Sequence, residues 1–182
     1  MNRRIVVTEF VTLDGVMEDP GGVERDANGF GGWAFAFDRG EAGDRFKLDE
    51  LLESDAQLLG RVTYEGFAQA WPSRQDEQGF ADRMNSMPKY VVSSTLTDPS
   101  WSNTTVISLD DVERLEGTIL VAGSNRLVHG LFERGLVDEL RLVLYPTVVG
   151  RGERLLEVPA DFELVSAEPS GQVVLLHYRR RS

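Results

Sequence analysis

Runs of apolar residues alternate with helical patterns along the first three quarters of the chain. Residues 4–13 carry Val, Ile, Thr and Phe too continuously for a helical stripe, and this pattern predicts a buried strand. The same reasoning predicts helices over 42–54, 62–70 and 124–134 and strands over 56–59, 89–93, 104–108 and 118–122. The alternation of strands with helices is typical of a parallel sheet.

The last quarter of the chain predicts strands alone. Leucines recur at every second position within 137–146, the longest predicted strand. Residues 162–167 and 173–179 flank Pro169-Ser170-Gly171, which indicates a closing antiparallel hairpin. We therefore expect one α/β domain over 1–182, with a mostly parallel sheet and an antiparallel edge.

One long segment interrupts this regular order. Residues 18–40 contain many glycines and several acidic groups, with Trp33, Phe35 and Phe37 interspersed. The composition predicts a long loop held by aromatic side chains. Long loops within compact domains are often functional, and Trp33 is the tryptophan best placed to stack on a ligand ring.

Composition narrows the possible partners. A net charge of -11 argues against nucleic acid, because phosphate binding needs a basic surface. The absence of cysteine excludes disulfides, thiolate zinc sites and a thiol nucleophile, and it favours a reducing cytoplasm. His129 and His177 have no metal-ligand spacing, so we expect no metal. We also expect neither export nor membrane insertion, since no stretch approaches the roughly 18 apolar residues of a span.

Two predicted strand ends carry residues suited to phosphate. Ligands of open α/β sheets bind where strands end and helices begin, because free N–H groups and the helix dipole attract anions there. At the first junction Gly60 lets a phosphate approach the backbone, Arg61 offers a planar fork of donors and Thr63 offers a hydroxyl. The alternative is that Gly60 only makes a tight turn and Arg61 is solvated.

The second junction follows the strand 118–122. Gly123 precedes a helix, and Ser124 serves either as its N-cap or as part of a phosphate site. Neither junction has the Gly-x-Gly-x-x-Gly spacing, and the glycines of 29–32 do not follow a strand. An ordinary Rossmann site is therefore disfavoured, and the phosphate loop of nucleoside-triphosphate hydrolases is absent as well.

Five segments, in this order, resemble the family of dihydrofolate reductase and the reductase domain of riboflavin biosynthesis over nearly the whole chain. They are Thr12-Leu13-Asp14-Gly15, the run 59–65, the run 89–94, Gly123-Ser124, and 135–140 followed by Tyr145-Pro146 and 149–152. The last of them looks like the riboflavin-type branch. The resemblance implies a dihydrofolate reductase-like three-layer α/β fold, with a twisted, mostly parallel sheet and flanking helices.

The resemblance also implies an NADPH site. The residues that match its cofactor-binding positions are Gly60, Arg61, Thr63, Ser93, Ser94, Gly123, Ser124 and Leu127. A cationic fork beside the ribose favours NADPH over NADH, because it pairs with the extra phosphate. In dihydrofolate reductase a cis peptide bond joins a glycine pair, and here Ser124 replaces the second glycine. A non-proline cis bond costs about 3 to 4 kcal/mol.

Two acidic residues are candidates for the catalytic group. Asp14 ends the first strand, where the resemblance places the floor of the pocket; the alternative is a turn residue paired with Gly15. Asp44 precedes Gly60 at about the spacing of the pterin-binding carboxylate of dihydrofolate reductase, and its alternative is a first-turn helix charge. Riboflavin-pathway reductases often have an acidic residue where this chain has Ala122, which weakens an assignment to their particular substrate.

The resemblance implies an NADPH-dependent reductase that transfers hydride to a pteridine- or pyrimidine-type heterocycle. It is most similar to 5-amino-6-(5-phosphoribosylamino)uracil reductase; the alternatives are a dihydrofolate reductase and a nucleotide-binding module without catalysis. The zinc ligands of the deaminase often fused to this domain are missing, so another protein would carry out deamination. Riboflavin-type domains commonly pair, and the apolar strand 137–146 is a possible basis for a homodimer.

Overall fold

The computed structural model describes residues 3–22 and 30–181. The predicted loop 18–40 is therefore described only in part, because residues 23–29 lie outside this range. The strands are β1 (Arg4–Thr12), β2 (Ala56–Gly60), β3 (Lys89–Val92), β4 (Thr104–Ile107), β5 (Thr118–Val121), β6 (Glu139–Tyr145), β7 (Phe162–Ser170) and β8 (Val173–Arg180). The helices are α1 (Gly40–Leu52), α2 (Arg61–Ala70), α3 (Phe80–Ser86) and α4 (Asn125–Glu133), with short 3-10 helices at Trp33–Ala36 and Leu109–Arg114.

All eight strands form one sheet, in the order β4-β3-β2-β5-β1-β6-β8-β7. Neighbours from β4 to β6 pair in parallel, whereas β8 pairs antiparallel with both β6 and β7. The predicted mostly parallel sheet with an antiparallel hairpin is confirmed. The hairpin turn falls later than we expected, since Pro169 and Ser170 still belong to β7.

Apolar side chains cover both faces of the sheet, because successive residues of a strand point to opposite sides. Ile5 and Val7 of β1 pack with Leu131 of α4 on one face. Val6 packs with Leu51 of α1 on the other face, where Tyr64, Met84 and Trp101 complete the cluster. Helices on both faces of a central sheet give the three layers that the resemblance implied.

One α-helix was not predicted from the sequence. Helix α3 has only seven residues, too few to show two turns of apolar periodicity. Its start is set by Asp76, whose carboxylate accepts hydrogen bonds from the main-chain N–H groups of Phe80 at 2.9 Å and Ala81 at 2.6 Å. No helix within residues 3–22 and 30–181 combines the length and the apolar character needed to cross a bilayer.

Candidate cofactor and active site

The carboxyl ends of five parallel strands meet at one edge of the sheet. Strands β3, β2, β5, β1 and β6 lie side by side in this order and run in the same direction. The segments that follow them begin at Ser93, Arg61, Ala122, Leu13 and Pro146. The residues predicted to bind phosphate and the predicted catalytic Asp14 therefore lie along the same edge.

The two glycine junctions touch each other. The main-chain N–H of Gly60 donates to the carbonyl oxygen of Gly123 at 3.1 Å. A Cβ on Gly60 would lie 2.1 Å from Oγ of Ser124 and 3.0 Å from its nitrogen, although Gly60 has an ordinary φ of -76°. A Cβ on Gly123 would lie 3.0 Å from Oγ1 of Thr63. Close approach, rather than backbone conformation, thus requires glycine at position 60. The peptide bond between Gly123 and Ser124 is cis.

Both helices that begin here lack a side-chain cap within the described residues. Gly60 is the N-cap of α2, and Ser124 is the N-cap of α4 but makes no capping hydrogen bond with its side chain. The first intrahelical bond of α4 joins the N–H of Val128 to the carbonyl of Ser124 at 3.0 Å. In α4 the N–H of Arg126 donates to Oδ1 of Asn125 at 2.9 Å. The other N–H groups of a first helical turn have no main-chain partner within the helix, which is the arrangement that binds anions.

Arg61 lies at the start of α2 with 45% of its side chain exposed. Its Nη1 bonds both carboxylate oxygens of Glu65 at 2.9 Å, one helical turn away. Exposed pairs of this kind contribute only about 0.3 to 0.5 kcal/mol. An anionic ligand with better geometry would therefore displace Glu65 at little cost.

The remaining predicted cofactor residues differ in what they offer. Ser94 is exposed, whereas Ser93 accepts hydrogen bonds through Oγ from the N–H groups of Thr95 at 3.1 Å and Leu96 at 3.0 Å. Ser93 thus shapes the turn that presents Ser94. The side chain of Leu127 is buried in the core beneath α4. The Leu127 side chain is therefore taken up by core packing, and contact of this residue with a cofactor stays a prediction for its main chain.

The carboxylate of Asp14 accepts hydrogen bonds from three neighbouring residues. Its carboxylate accepts from Oγ1 of Thr12 at 2.5 Å, from the N–H of Gly150 at 2.9 Å and from the N–H of Val149 at 3.4 Å. These donors, Thr12 above all, lower the pKa of Asp14 below its usual value. An ionised carboxylate that fixes the segment after β6 is suited to structure rather than to proton donation. Asp14 also borders an apolar cavity of about 670 Å³ beside β6 and β8.

Asp44 lies on α1 and is half-exposed, bonded to Nε of Arg39 at 2.6 Å. The Arg39 guanidinium carbon is 5.6 Å from the centre of the Phe10 ring, which packs edge-on against Tyr145. Trp33 also packs edge-on against Tyr145 and is buried, so it belongs to the core rather than to a stacking platform. Asp44 therefore sits at the rim of an aromatic wall and is paired with a cation.

Glu9, a residue that the sequence reasoning passed over, lies at this edge beside Gly123, and we call the place between these two residues the crevice. Strand β1 pairs with β5 only as far as Val7 and Val121, and its later residues extend past the end of β5. Glu9 is 8% exposed, and its Oε1 would lie 3.8 Å from a Cβ on Gly123. Burial raises the pKa of this carboxyl to about 8. The signal in the sequence was a charged residue within the otherwise uncharged run 5–13.

Comparison with known proteins bears on the family. A family model described as the RibD C-terminal domain matches residues 3–176 of the chain. The chain is 29% identical to the protein YyaP of Bacillus subtilis (strain 168) over 164 residues, covering 84% of this chain and 80% of YyaP.

Solved structures bear on the fold. A Shewanella sp. PV-4 protein described as a riboflavin biosynthesis protein superposes with a TM-score of 0.72 at 19% identity, over 98% of this chain and 99% of that one. A dihydrofolate reductase from Enterococcus faecalis, complexed with NADP(H) and RAB-propyl, gives 0.62 at 13% identity, over 98% and 97%. Acinetobacter baumannii RibD gives 0.66 at 14% identity, over 99% of this chain but 58% of that one.

These likenesses confirm the dihydrofolate reductase-like fold. The resemblance noted in the sequence is confirmed as well. Because the family model spans residues 3–176, the chain belongs to the RibD C-terminal domain family.

Proposed function

We propose that this protein is an NADPH-dependent reductase of a pteridine- or pyrimidine-type heterocycle, most similar to 5-amino-6-(5-phosphoribosylamino)uracil reductase. The observation that carries the proposal is the contact between Gly60 and the Gly123-Ser124 junction. The contact brings two helix starts together beside Arg61, because glycine at position 60 leaves room for Ser124, and we call the N–H groups of these two helix starts the cradle. A dinucleotide phosphate suits such a cradle.

Each residue at the edge has a part in this proposal. The N–H groups at the start of α4 bind the pyrophosphate, and Thr63 adds a hydroxyl next to Gly123. Arg61 leaves Glu65 and pairs with the ribose phosphate that distinguishes NADPH from NADH, while Ser94 lies at the same end. When bound, the cofactor supplies a hydride, and the protein supplies orientation and a proton.

The place for the substrate lies where β1 extends past β5. Glu9 lines the crevice there, and Phe10 with Arg39 and Asp44 forms the wall on the α1 side. An aromatic wall with a few polar groups favours a planar heterocycle. Membership of the RibD C-terminal domain family favours the pyrimidine of riboflavin biosynthesis over dihydrofolate.

NADPH titration followed by fluorescence tests the cradle. Gly60→Ala is expected to weaken binding at least tenfold, because the new Cβ meets the side chain and the nitrogen of Ser124. The matched control is Gly66→Ala in α2, where a Cβ meets nothing within 4 Å. Equal affinity of the Gly60→Ala and Gly66→Ala variants would contradict the proposed site.

A second variant tests the cofactor preference. Arg61→Ala is expected to weaken NADPH about tenfold, through the loss of a charge-assisted contact, and to leave NADH nearly unchanged. A parallel loss for both cofactors would contradict the role of Arg61 at the ribose phosphate.

Turnover distinguishes the candidate functions. We expect NADPH oxidation with the phosphoribosylamino-pyrimidine, whereas oxidation with dihydrofolate that an antifolate stops would identify the folate enzyme. Binding of NADPH without oxidation by either acceptor would indicate the nucleotide-binding module.

We also propose that the chain acts as one domain in the cytoplasm and pairs as a homodimer. The single eight-stranded sheet supports one domain, and the absence of cysteine is consistent with a reducing compartment. A dimer through 137–146 would have to use the face of β6, because β1 and β8 occupy both of its edges. Light scattering of the purified protein measures the mass and tests the dimer.

A further inference from the structure

The crevice beside Glu9 is a product of strand register. Hydrogen bonding between β1 and β5 ends at the pair Val7 and Val121, whereas β1 continues beside β6 to the pair Thr12 and Tyr145. Strand β5 ends at Val121 and does not flank β1 beyond Val7, and we call the place between β1 and the start of α4 the gap. Glu9 is the residue of β1 that faces this gap.

The surroundings of Glu9 favour its neutral form. Its Oε1 is buried and has no hydrogen-bond partner among the described residues, and the charges that act on it are Lys47 and Glu50 of α1. Lys47 contacts Glu50 directly. This ion pair reduces the stabilisation that Lys47 can give to an ionised Glu9. The main-chain amide of Gly123 faces the carboxyl and only partly offsets the burial. A carboxyl buried without a dedicated cation takes up a proton.

A buried carboxylate at the amino end of β6 shows the contrast. Glu139 is 3% exposed. Its carboxylate oxygens lie 2.9 Å from Nε2 of His177, 3.6 Å from Nη1 of Arg4 and 3.7 Å from Nε of Arg179. The two arginines compensate for the burial of this carboxylate. Glu9 has no such set, and it lies beside the proposed cofactor cradle.

We propose that Glu9 is the proton donor of the reduction. The inference rests on the proposed function. As the carbon of a C=N or C=O bond in the substrate receives the hydride from NADPH, the O–H bond of Glu9 breaks and its proton goes to the nitrogen or oxygen. The resulting carboxylate is reprotonated from water. Hydride and proton together balance the two-electron reduction.

Carbon-13 NMR of protein labelled at the glutamate side-chain carboxyl tests the inference. One resonance, identified by its loss in Glu9→Gln, is expected to titrate near pH 8 in the free protein. Addition of NADPH is expected to shift that resonance, because the gap adjoins the cradle. The resonance of Glu139, at the amino end of β6, is expected to stay in place and serves as the internal control.

Turnover gives the second readout. Glu9→Gln is expected to lower kcat about 100- to 10,000-fold while NADPH affinity is retained, because the amide fits the gap but has no acidic proton. Glu9→Asp keeps an acid on a shorter arm and is expected to recover part of the rate. In the wild type, kcat is expected to fall above about pH 8, as the donor loses its proton.

The possible results separate the two proposals. If NADPH does not bind to the wild type, the proposed function fails, and the role of Glu9 fails with it. Two results with NADPH bound would overturn only the role of Glu9. One is a Glu9 pKa near the ordinary glutamate value of about 4.3, and the other is a Glu9 resonance that does not shift when NADPH is added. Full turnover of Glu9→Gln with a reducible acceptor overturns it too.

Discussion

Two carboxyl groups at the same end of β1 have opposite surroundings. Asp14 follows the strand and accepts hydrogen bonds from Thr12, Val149 and Gly150, so its pKa is lowered. Glu9 lies five positions earlier, and its Oε1 has no hydrogen-bond partner in the part of the chain that the structure describes. Burial raises the pKa of Glu9 to about 8, and the amide of Gly123 offsets this only in part. Every hydrogen-bond donor aimed at a carboxylate favours its ionised form. An acidic residue near a pocket is therefore better suited to donate a proton when few donors surround it.

The largest expected effect is on the pH dependence of stability. Between about pH 4.5 and pH 8 an unfolded Glu9 is ionised while the folded one keeps its proton, so the folded state binds more protons. The free energy of unfolding of the wild type should therefore fall, relative to Glu9→Gln, as pH rises through this window. At about 1.36 kcal/mol for each pKa unit, the ceiling of the change is about 5 kcal/mol.

Urea unfolding of both proteins at several pH values measures this difference. Because every other titrating group is common to the two proteins, the difference isolates Glu9. A constant difference across the window would mean that Glu9 is ionised in the folded state, and the contrast with Asp14 would disappear.

Substitution of Asp14 is expected to lower the free energy of unfolding and to leave proton donation during turnover intact. Asp14→Ala removes the acceptor for the N–H of Gly150 and for Oγ1 of Thr12, and we expect a cost of about 1 to 3 kcal/mol. Asp14→Asn keeps one acceptor oxygen and should cost less. Urea unfolding measures the cost, and the pH profile of kcat for Asp14→Asn should keep the wild-type shape. Loss of its alkaline limb would restore Asp14 as the proton donor.

The two carboxyls also show what the sequence was able to predict. The strands and the glycine junctions are local patterns, and the structure places the runs ending at Gly60 and Val121 side by side, as parallel strands require. Asp14 was visible as part of a motif that also contains Thr12, its strongest donor, but its other two donors come from residues 149 and 150, more than 130 positions away. The pattern of the chain does not contain such a contact.

Glu9 was hidden for a related reason. In the sequence it interrupts an apolar run, and the run alone predicts only a buried strand. Glu9 faces the crevice because β5 ends before β1 does. The last residues that pair between these two strands are 7 and 121, and the sequence does not reveal this register. Helix α3 was missed because it is short, whereas Glu9 was missed because its role depends on distant chain segments.

The smallest effect concerns the charges on α1. Glu50 raises the pKa of Glu9 and Lys47 lowers it, and the two lie against each other. Glu50→Gln removes the negative charge and leaves Lys47 positive, so the pKa of Glu9 should fall in the carbon-13 titration. Asp44→Asn, on the same helix but bonded to Arg39, is the matched control and should leave the midpoint in place. An upward shift in Glu50→Gln would show that burial and these two charges do not govern Glu9, and the distinction from Asp14 would need another cause.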